Sequence, residues 1–115
     1  MQPNDMMNAE PWFEHADRDL QVAVLALDAD PMLGGAVAFH AQQAAEKALK
    51  GFLTAYGIAF PKTHELEGLV VRCTAIEPEF QKFMVAASIL TPYATEFRYP
   101  GGRLEPAETE TRAAY

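Results

Sequence analysis

The sequence predicts an all-α fold, an antiparallel up-and-down bundle of four to five helices. Three observations carry this. Alanine occurs 20 times against nine valines and isoleucines together, a bias towards helix over strand. No segment alternates apolar and polar residues as a half-buried strand does. Prolines at Pro11, Pro31, Pro61, Pro78, Pro92, Pro100 and Pro106 punctuate the chain as boundaries between helices with short connections. A chain of 115 residues makes one domain. Its core is expected over about residues 9–104, with 105–115 beginning a last helix.

The first helix is expected from about Ala9 to Leu27. At ~100° per residue, Trp12, Phe13, Ala16, Leu20, Ala23, Val24 and Leu27 fall on one apolar stripe. Asp30 is placed as an N-cap and Pro31 at the first position of the next helix. That second helix runs from about Met32 to Tyr56, with Gly34 and Gly35 weakening its first turn. With His40 at 0°, Val37, Ala38, Ala41, Ala44, Ala45, Ala48, Leu49, Phe52 and Tyr56 occupy an arc from ~40° to ~180°. Alanine dominates that arc, so another helix can approach it closely. Gly57 is a natural C-cap and Pro61 blocks continuation. Thr63 is read as the N-cap of a third helix with Leu66, Leu69, Val70 and Cys73 as its apolar face. Glu77-Pro78-Glu79 starts a fourth that reaches about Thr95, and Arg98-Tyr99-Pro100-Gly101-Gly102 is a loop before the last helix.

Sixteen acidic against nine basic residues give a net charge of −7, which argues against a protein that coats nucleic acid non-specifically. One cysteine, Cys73, excludes an intrachain disulfide and a cysteine-based zinc site, and it is read as a buried small hydrophobe. Met1–Asn8 has neither a basic start nor an apolar stretch, so no signal peptide is expected. The longest charge-free run, Pro31 to Ala45, has fifteen residues, too few to span a bilayer. The expected location is the cytoplasm.

Few residues offer chemistry. Against the alanine arc of helix two stands a polar stripe, with Lys47 at ~340°, Gln43 at ~300°, Lys50 at ~280° and Glu46 at ~240° from His40. It can bind phosphate or a partner's carboxylates, or it can be a solvated face with Gln43–Lys47 and Glu46–Lys50 as (i, i+4) pairs. His64 stands at a helix start, where it bonds the backbone or a ligand. His64-Glu65-Leu66-Glu67-Gly68 lacks the second histidine of a zinc hydrolase helix. No Glu-x-x-His occurs, which argues against a di-iron bundle, and no metal is assigned. Arg98-Tyr99-Pro100 forms a rigid corner that caps helix four or offers a guanidinium fork to an anion.

The stretch Phe39-His40-Ala41-Gln42-Gln43-Ala44-Ala45-Glu46-Lys47-Ala48-Leu49-Lys50 resembles the signature helix of the HEPN domain, the "higher eukaryotes and prokaryotes nucleotide-binding" domain. Ala16-x-x-Asp19-Leu20-x-x-Ala23, Thr63-His64-Glu65-Leu66 and Arg98-Tyr99-Pro100-Gly101 follow in matching order. The resemblance covers roughly Trp12 to Gly102 and implies a helical bundle, often a homodimer. Some members are encoded beside a minimal nucleotidyltransferase in toxin–antitoxin-like systems. Others are metal-independent ribonucleases with an arginine four to six residues before a histidine. That spacing is missing here: His40 lies far beyond Arg18, and no histidine follows Arg72, Arg98, Arg103 or Arg112.

The resemblance gives His40, Gln43, Lys47, Lys50, His64, Arg98 and Tyr99 as the ligand- or partner-binding set, with no catalytic residue assigned. The expectation is a binding module for a nucleotide-like anion, a minimal nucleotidyltransferase, or both. A nucleotide is the one cofactor-like ligand considered. The competing readings are a metal-independent RNase toxin with a divergent site, using His40 or His64 for proton transfer and Arg98 as clamp, and a purely structural dimerisation protein.

Overall fold

The computed structural model describes residues 3–94, all of whose regular elements are helical. They are α1 (Pro3–Asp28), α2 (Gly34–Ala55), α3 (Leu66–Ile76), a 3-10 segment Pro78–Phe83, α4 (Met84–Leu90) and a 3-10 turn Thr91–Ala94. The all-α expectation holds. The Arg98-Tyr99-Pro100 corner and the helix expected over 105–115 lie outside the described residues.

α1 and α2 form an antiparallel pair, and the seam between them is built from small side chains. On α1, Ala9, Ala16 and Ala23 recur every seven residues and are buried, as is Ala26. On α2, Val37, Ala44 and Gly51 recur at the same spacing. Small residues at a seven-residue period keep two helix axes close along their whole length. At Gly51 the approach is tightest. A Cβ there would stand 2.8 Å from Phe13 Cε1 and 2.9 Å from Trp12 Cβ, so only glycine fits.

The α1 stripe is therefore rotated from the expected one. Ala16 and Ala23 are in the seam, but Phe13, Leu20 and Val24 are exposed. The alanine arc of α2 is also used differently. α1 covers the line through His40, Ala44, Lys47 and Gly51, while Ala41, Ala44, Ala45 and Ala48 line an apolar groove bounded by Leu20 of α1 and Phe83, Ala87 and Leu90.

Several end signals differ too. α1 begins before Ala9 and runs through Pro11, whose missing N–H removes one helical bond. Leu33, not Asp30, precedes α2, and Leu33 N–H bonds Ala26 O at 3.1 Å to close the α1–α2 corner. Thr63 does not cap α3. Its hydroxyl accepts from Glu65 N–H at 3.0 Å, making a turn one step earlier, and Glu65 is the residue before α3. The expected fourth helix is split, because Pro78 opens a 3-10 segment before α4 forms. Gly57 behaves as expected. Its φ is +69°, with Gly57 N–H bonding Thr54 O and Ile58 N–H bonding Leu53 O, the double bond of a Schellman cap.

The remaining core joins α2, α3 and α4 through Leu49, Leu53, Leu66, Leu69, Val70, Cys73, Ala87 and Leu90. Thr91 links the end of this layer to the start of α3. Its hydroxyl accepts from Leu66 N–H at 3.0 Å and lies within reach of the Glu67 carboxylate. Cys73 is fully buried, and burial pushes its thiol up to about 11.

Gly51→Ala tests the seam. Alanine gains about 1 kcal/mol in helix propensity, but overpacking against Trp12 Cβ costs about 1–3 kcal/mol. The expected result in thermal melts is a Tm several degrees below wild type. A rise in Tm would show that α1 and α2 are not in contact there.

Candidate functional site

The polar residues of α2 gather around two carboxylates. The first is Asp19, which projects from α1 into the seam with its side chain 13% exposed. His40 Nδ1 lies 2.9 Å from Asp19 Oδ1, and Lys47 Nζ donates to Asp19 Oδ2. A carboxylate only accepts, so the His40 Nδ1 carries the proton. One acid of α1 thus holds two residues of α2 that lie two turns apart.

The second is Glu46, on α2 itself and 5% exposed. Its Oε2 accepts from Lys50 Nζ at 3.0 Å. Its Oε1 accepts from His64 Nδ1 at 2.9 Å and from Gln42 Nε2 at 3.3 Å. Gln42, fully buried, also donates to His64 O at 2.9 Å, so both the ring and the backbone of His64 are fixed. Gln43 donates to Gln42 Oε1 at 2.7 Å and joins the same chain of bonds. Lys50, 6% exposed, is enclosed by aromatic rings, with its Nζ 5.9 Å from the Trp12 centroid and 5.8 Å from that of Phe60. Those rings meet edge to face at 6.1 Å.

Burial alone would raise the Glu46 pKa. The hydrogen bonds from His64, Lys50 and Gln42 and the Lys50 charge outweigh it and hold the carboxyl below its ordinary value.

Five of the seven residues expected at the site therefore fall in these clusters: His40 and Lys47 on Asp19, and Gln43, Lys50 and His64 around Glu46. Arg98 and Tyr99 lie outside the described residues. The expected Glu46–Lys50 pair is present, but Gln43 and Lys47 turn to Gln42 and Asp19 instead of each other. The stripe is not a solvated face. Lys50 and Glu46 are buried, and His40 and Lys47 keep about a quarter of their side-chain surface exposed, at 27% and 25%. Only His64, at 61%, stands well out. Sequence reasoning missed Asp19 and Glu46 as the organising acids. The signal for Asp19 was its place three residues after Ala16 on the seven-residue alanine line, where a charge needs a partner.

Two acids balance the two lysines of the set. It can bind helices to one another and position two histidine rings. Among the described residues no group of three or more His, Cys, Asp or Glu side chains is arranged to hold a metal. No helix among them is long and apolar enough to cross a membrane.

Residues 9–115 match the family model for the HEPN domain, nearly the whole chain. The chain belongs to the HEPN family. No curated protein and no solved structure matches it. The resemblance read from residues 39–50 is thereby established over the full domain, and the α2 motif of this HEPN chain is the helix that carries both clusters.

Two predictions separate the clusters. Lys50→Ala leaves the Glu46 carboxylate buried without its lysine, a loss of about 3 kcal/mol and a Tm lower by roughly 10 °C. Lys47→Ala breaks a partly exposed pair whose acid keeps His40, costing about 1 kcal/mol. Equal Tm values for the two variants in calorimetry would contradict this ranking.

The lowered Glu46 pKa also fixes a pH dependence. Its contribution is fully present above about pH 4.5–5 and is lost as pH falls through the lower folded value. Glu46→Gln should melt below wild type at pH 7, with the gap narrowing as the pH drops under about 4.5. A gap that stays constant from pH 7 to 3 would mean that Glu46 ionisation does not support the fold.

Proposed function

We propose that this HEPN chain is a binding module that acts by association, and that its partner is a protein of the minimal nucleotidyltransferase kind docked along the apolar groove of α2. The observation that supports this most is the contrast between the two sides of α2. On the polar side every lysine is already paired with an acid of this chain. On the other side the helix offers a concave apolar surface of about 350 Å³, lined by Ala41, Ala45 and Ala48 with Leu20, Phe83 and Leu90 at its edges. Ala48 in its floor is exposed, and so are Leu20 and Phe83. A contiguous apolar concavity walled by all four α-helices is a surface that association would cover. The family supplies the candidate partner. In the absence of that partner, the same face is available to a second copy, giving a homodimer.

A second reading has its own observation. His40, Gln43 and Lys47 follow one line of α2, and each keeps part of its surface open. A nucleotide-like anion could accept from the remaining Lys47 and Gln43 hydrogens there. Asp19 weakens this reading, since its charge already offsets Lys47. The Arg-x4-6-His spacing of HEPN ribonucleases is missing from the sequence, so neither reading includes RNA cleavage.

Co-expression with a minimal nucleotidyltransferase, followed by titration calorimetry, tests the first reading. Ala48→Arg places a charge in the groove floor at an exposed position. It should weaken the complex by at least about tenfold while leaving the Tm near wild type. Wild-type affinity in Ala48→Arg would sink the groove as the docking face. Light scattering of the 12.7 kDa chain alone decides whether a second copy takes the same place.

A further inference from the structure

The cations of the described residues are not distributed evenly in their commitments. Lys47 and Lys50 are bound to Asp19 and Glu46, and Lys82 lies 3.8 Å from Glu79. Among the described residues Arg18 of α1, Lys62 and Arg72 have no ion-pair partner, and of these Lys62 and Arg72 line the same cleft. It lies between the connection after α2 and the face of α3 turned away from the apolar groove. Its volume is about 700 Å³, and Pro61, Thr63, Glu65, Gly68, Leu69 and Val71 complete its walls. Two cations in the lining of one concavity, neither paired among the described residues, stand out on a chain of net charge −7, and a concave wall concentrates their field.

Two further observations concern the same cleft. Thr63 Oγ accepts from Glu65 N–H, and no acceptor among the described residues takes the Thr63 hydroxyl proton. Gly68 lies inside α3, where glycine is less favourable than alanine. Nothing among the described residues requires it. Among the described residues only Gly57 has a positive φ, so the Gly68 backbone suits any residue. A Cβ at Gly68 would meet only Glu65 Oε1, at 3.8 Å, so packing does not demand glycine either. What the missing side chain leaves is open space over the cleft.

We propose that this cleft is a binding site for a phosphate monoester. The phosphoryl dianion would sit between the Lys62 ammonium and the Arg72 guanidinium. Its charge matches the two cations, and its oxygens accept from the lysine, from the guanidinium fork and from the Thr63 hydroxyl. Glu65, also in the wall, opposes anions, and two cations exceed it. Pro61 and Val71 offer apolar surface to the organic part of the ligand, and Gly68 leaves room for it. The site is separate from the α2 polar line and from the groove, so it stands whether or not the proposed partner docks.

The test is an amide NMR titration with phenyl phosphate, inorganic phosphate and a short RNA whose phosphates are all diesters. The expected result is saturable shifts at Thr63, Gly68, Val71 and Arg72, with phenyl phosphate binding in the millimolar range and more tightly than inorganic phosphate. Lys62→Gln and Arg72→Gln remove exposed, unpaired side chains, so the fold should persist. Each should weaken phenyl phosphate by about tenfold or more. Gly68→Leu should abolish binding while its thermal melt stays cooperative. Absence of saturable shifts would overturn the site, as would wild-type affinity in both charge variants or tighter binding of the RNA than of phenyl phosphate. Shifts confined to His40, Gln43 and Lys47 would place the anion on α2 instead.

Discussion

A carboxylate buried inside a small helical domain must be fully satisfied or it destabilises the fold, and Glu46 is the point where this chain meets that demand. Lys50 reaches it from the next turn of α2, Gln42 from the previous one, and His64 from the connection to α3. Lys50 in turn lies against Trp12 of α1 and Phe60 of the same connection. One ionised group therefore ties two helices and an irregular segment to a single point. The start of α3 depends on it, because Gln42 fixes the His64 carbonyl two residues before α3 begins. The Thr91 hydroxyl then takes the first α3 N–H and brings the final described turn into the same frame.

Asp19 does related work under different constraints. The α1–α2 seam is so tight at Gly51 that no side chain fits there. Small residues give close contact but little apolar area, so the seam gains less from burial than one of leucines would. The Asp19 pairs with His40 and Lys47 add a directional contact that also sets the register between the helices. A one-turn slip would strand the acid in an alanine surface, and an unpaired buried charge is costly. The cations of α2 are thus first of all fold determinants.

The helices themselves were legible in the sequence. Alanine content, the Gly57 cap and the position of Cys73 each rest on local chemistry, and each appears as read. The polar line of α2 was legible as well, since it follows from helical geometry alone. Its partners were not. A helical wheel gives angles within one helix but not which neighbour occupies each direction, so α1 lies on the His40–Gly51 line and meets only the Val37–Ala44 edge of the alanine arc. For the same reason Phe13, Leu20 and Val24 are exposed while Ala9 and Ala26 are buried. Asp30 and Thr63 have the chemistry of N-caps, but Leu33 N–H bonds Ala26 O, and Thr63 Oγ takes Glu65 N–H in a turn one step before α3, so neither residue caps its helix.

Family motifs in this chain mark positions where fold and recognition compete for the same side chains. Lys50 illustrates the consequence. Its ammonium has a carboxylate at 3.0 Å and the neighbouring Trp12 and Phe60 ring centroids at 5.9 and 5.8 Å, and it is almost wholly buried. A ligand could reach it only by displacing Glu46, which would leave that acid to be stabilised by a histidine and an amide. Loss of binding on replacing Lys50 would therefore report a damaged α2–α3 connection before it reported a lost ligand contact. Lys62 and Arg72 are in the opposite situation. Among the described residues no ion pair uses them and no core contains them, so that part of the fold places no comparable demand on their charges. In a chain this acidic, cations without structural employment are where recognition can vary independently of stability.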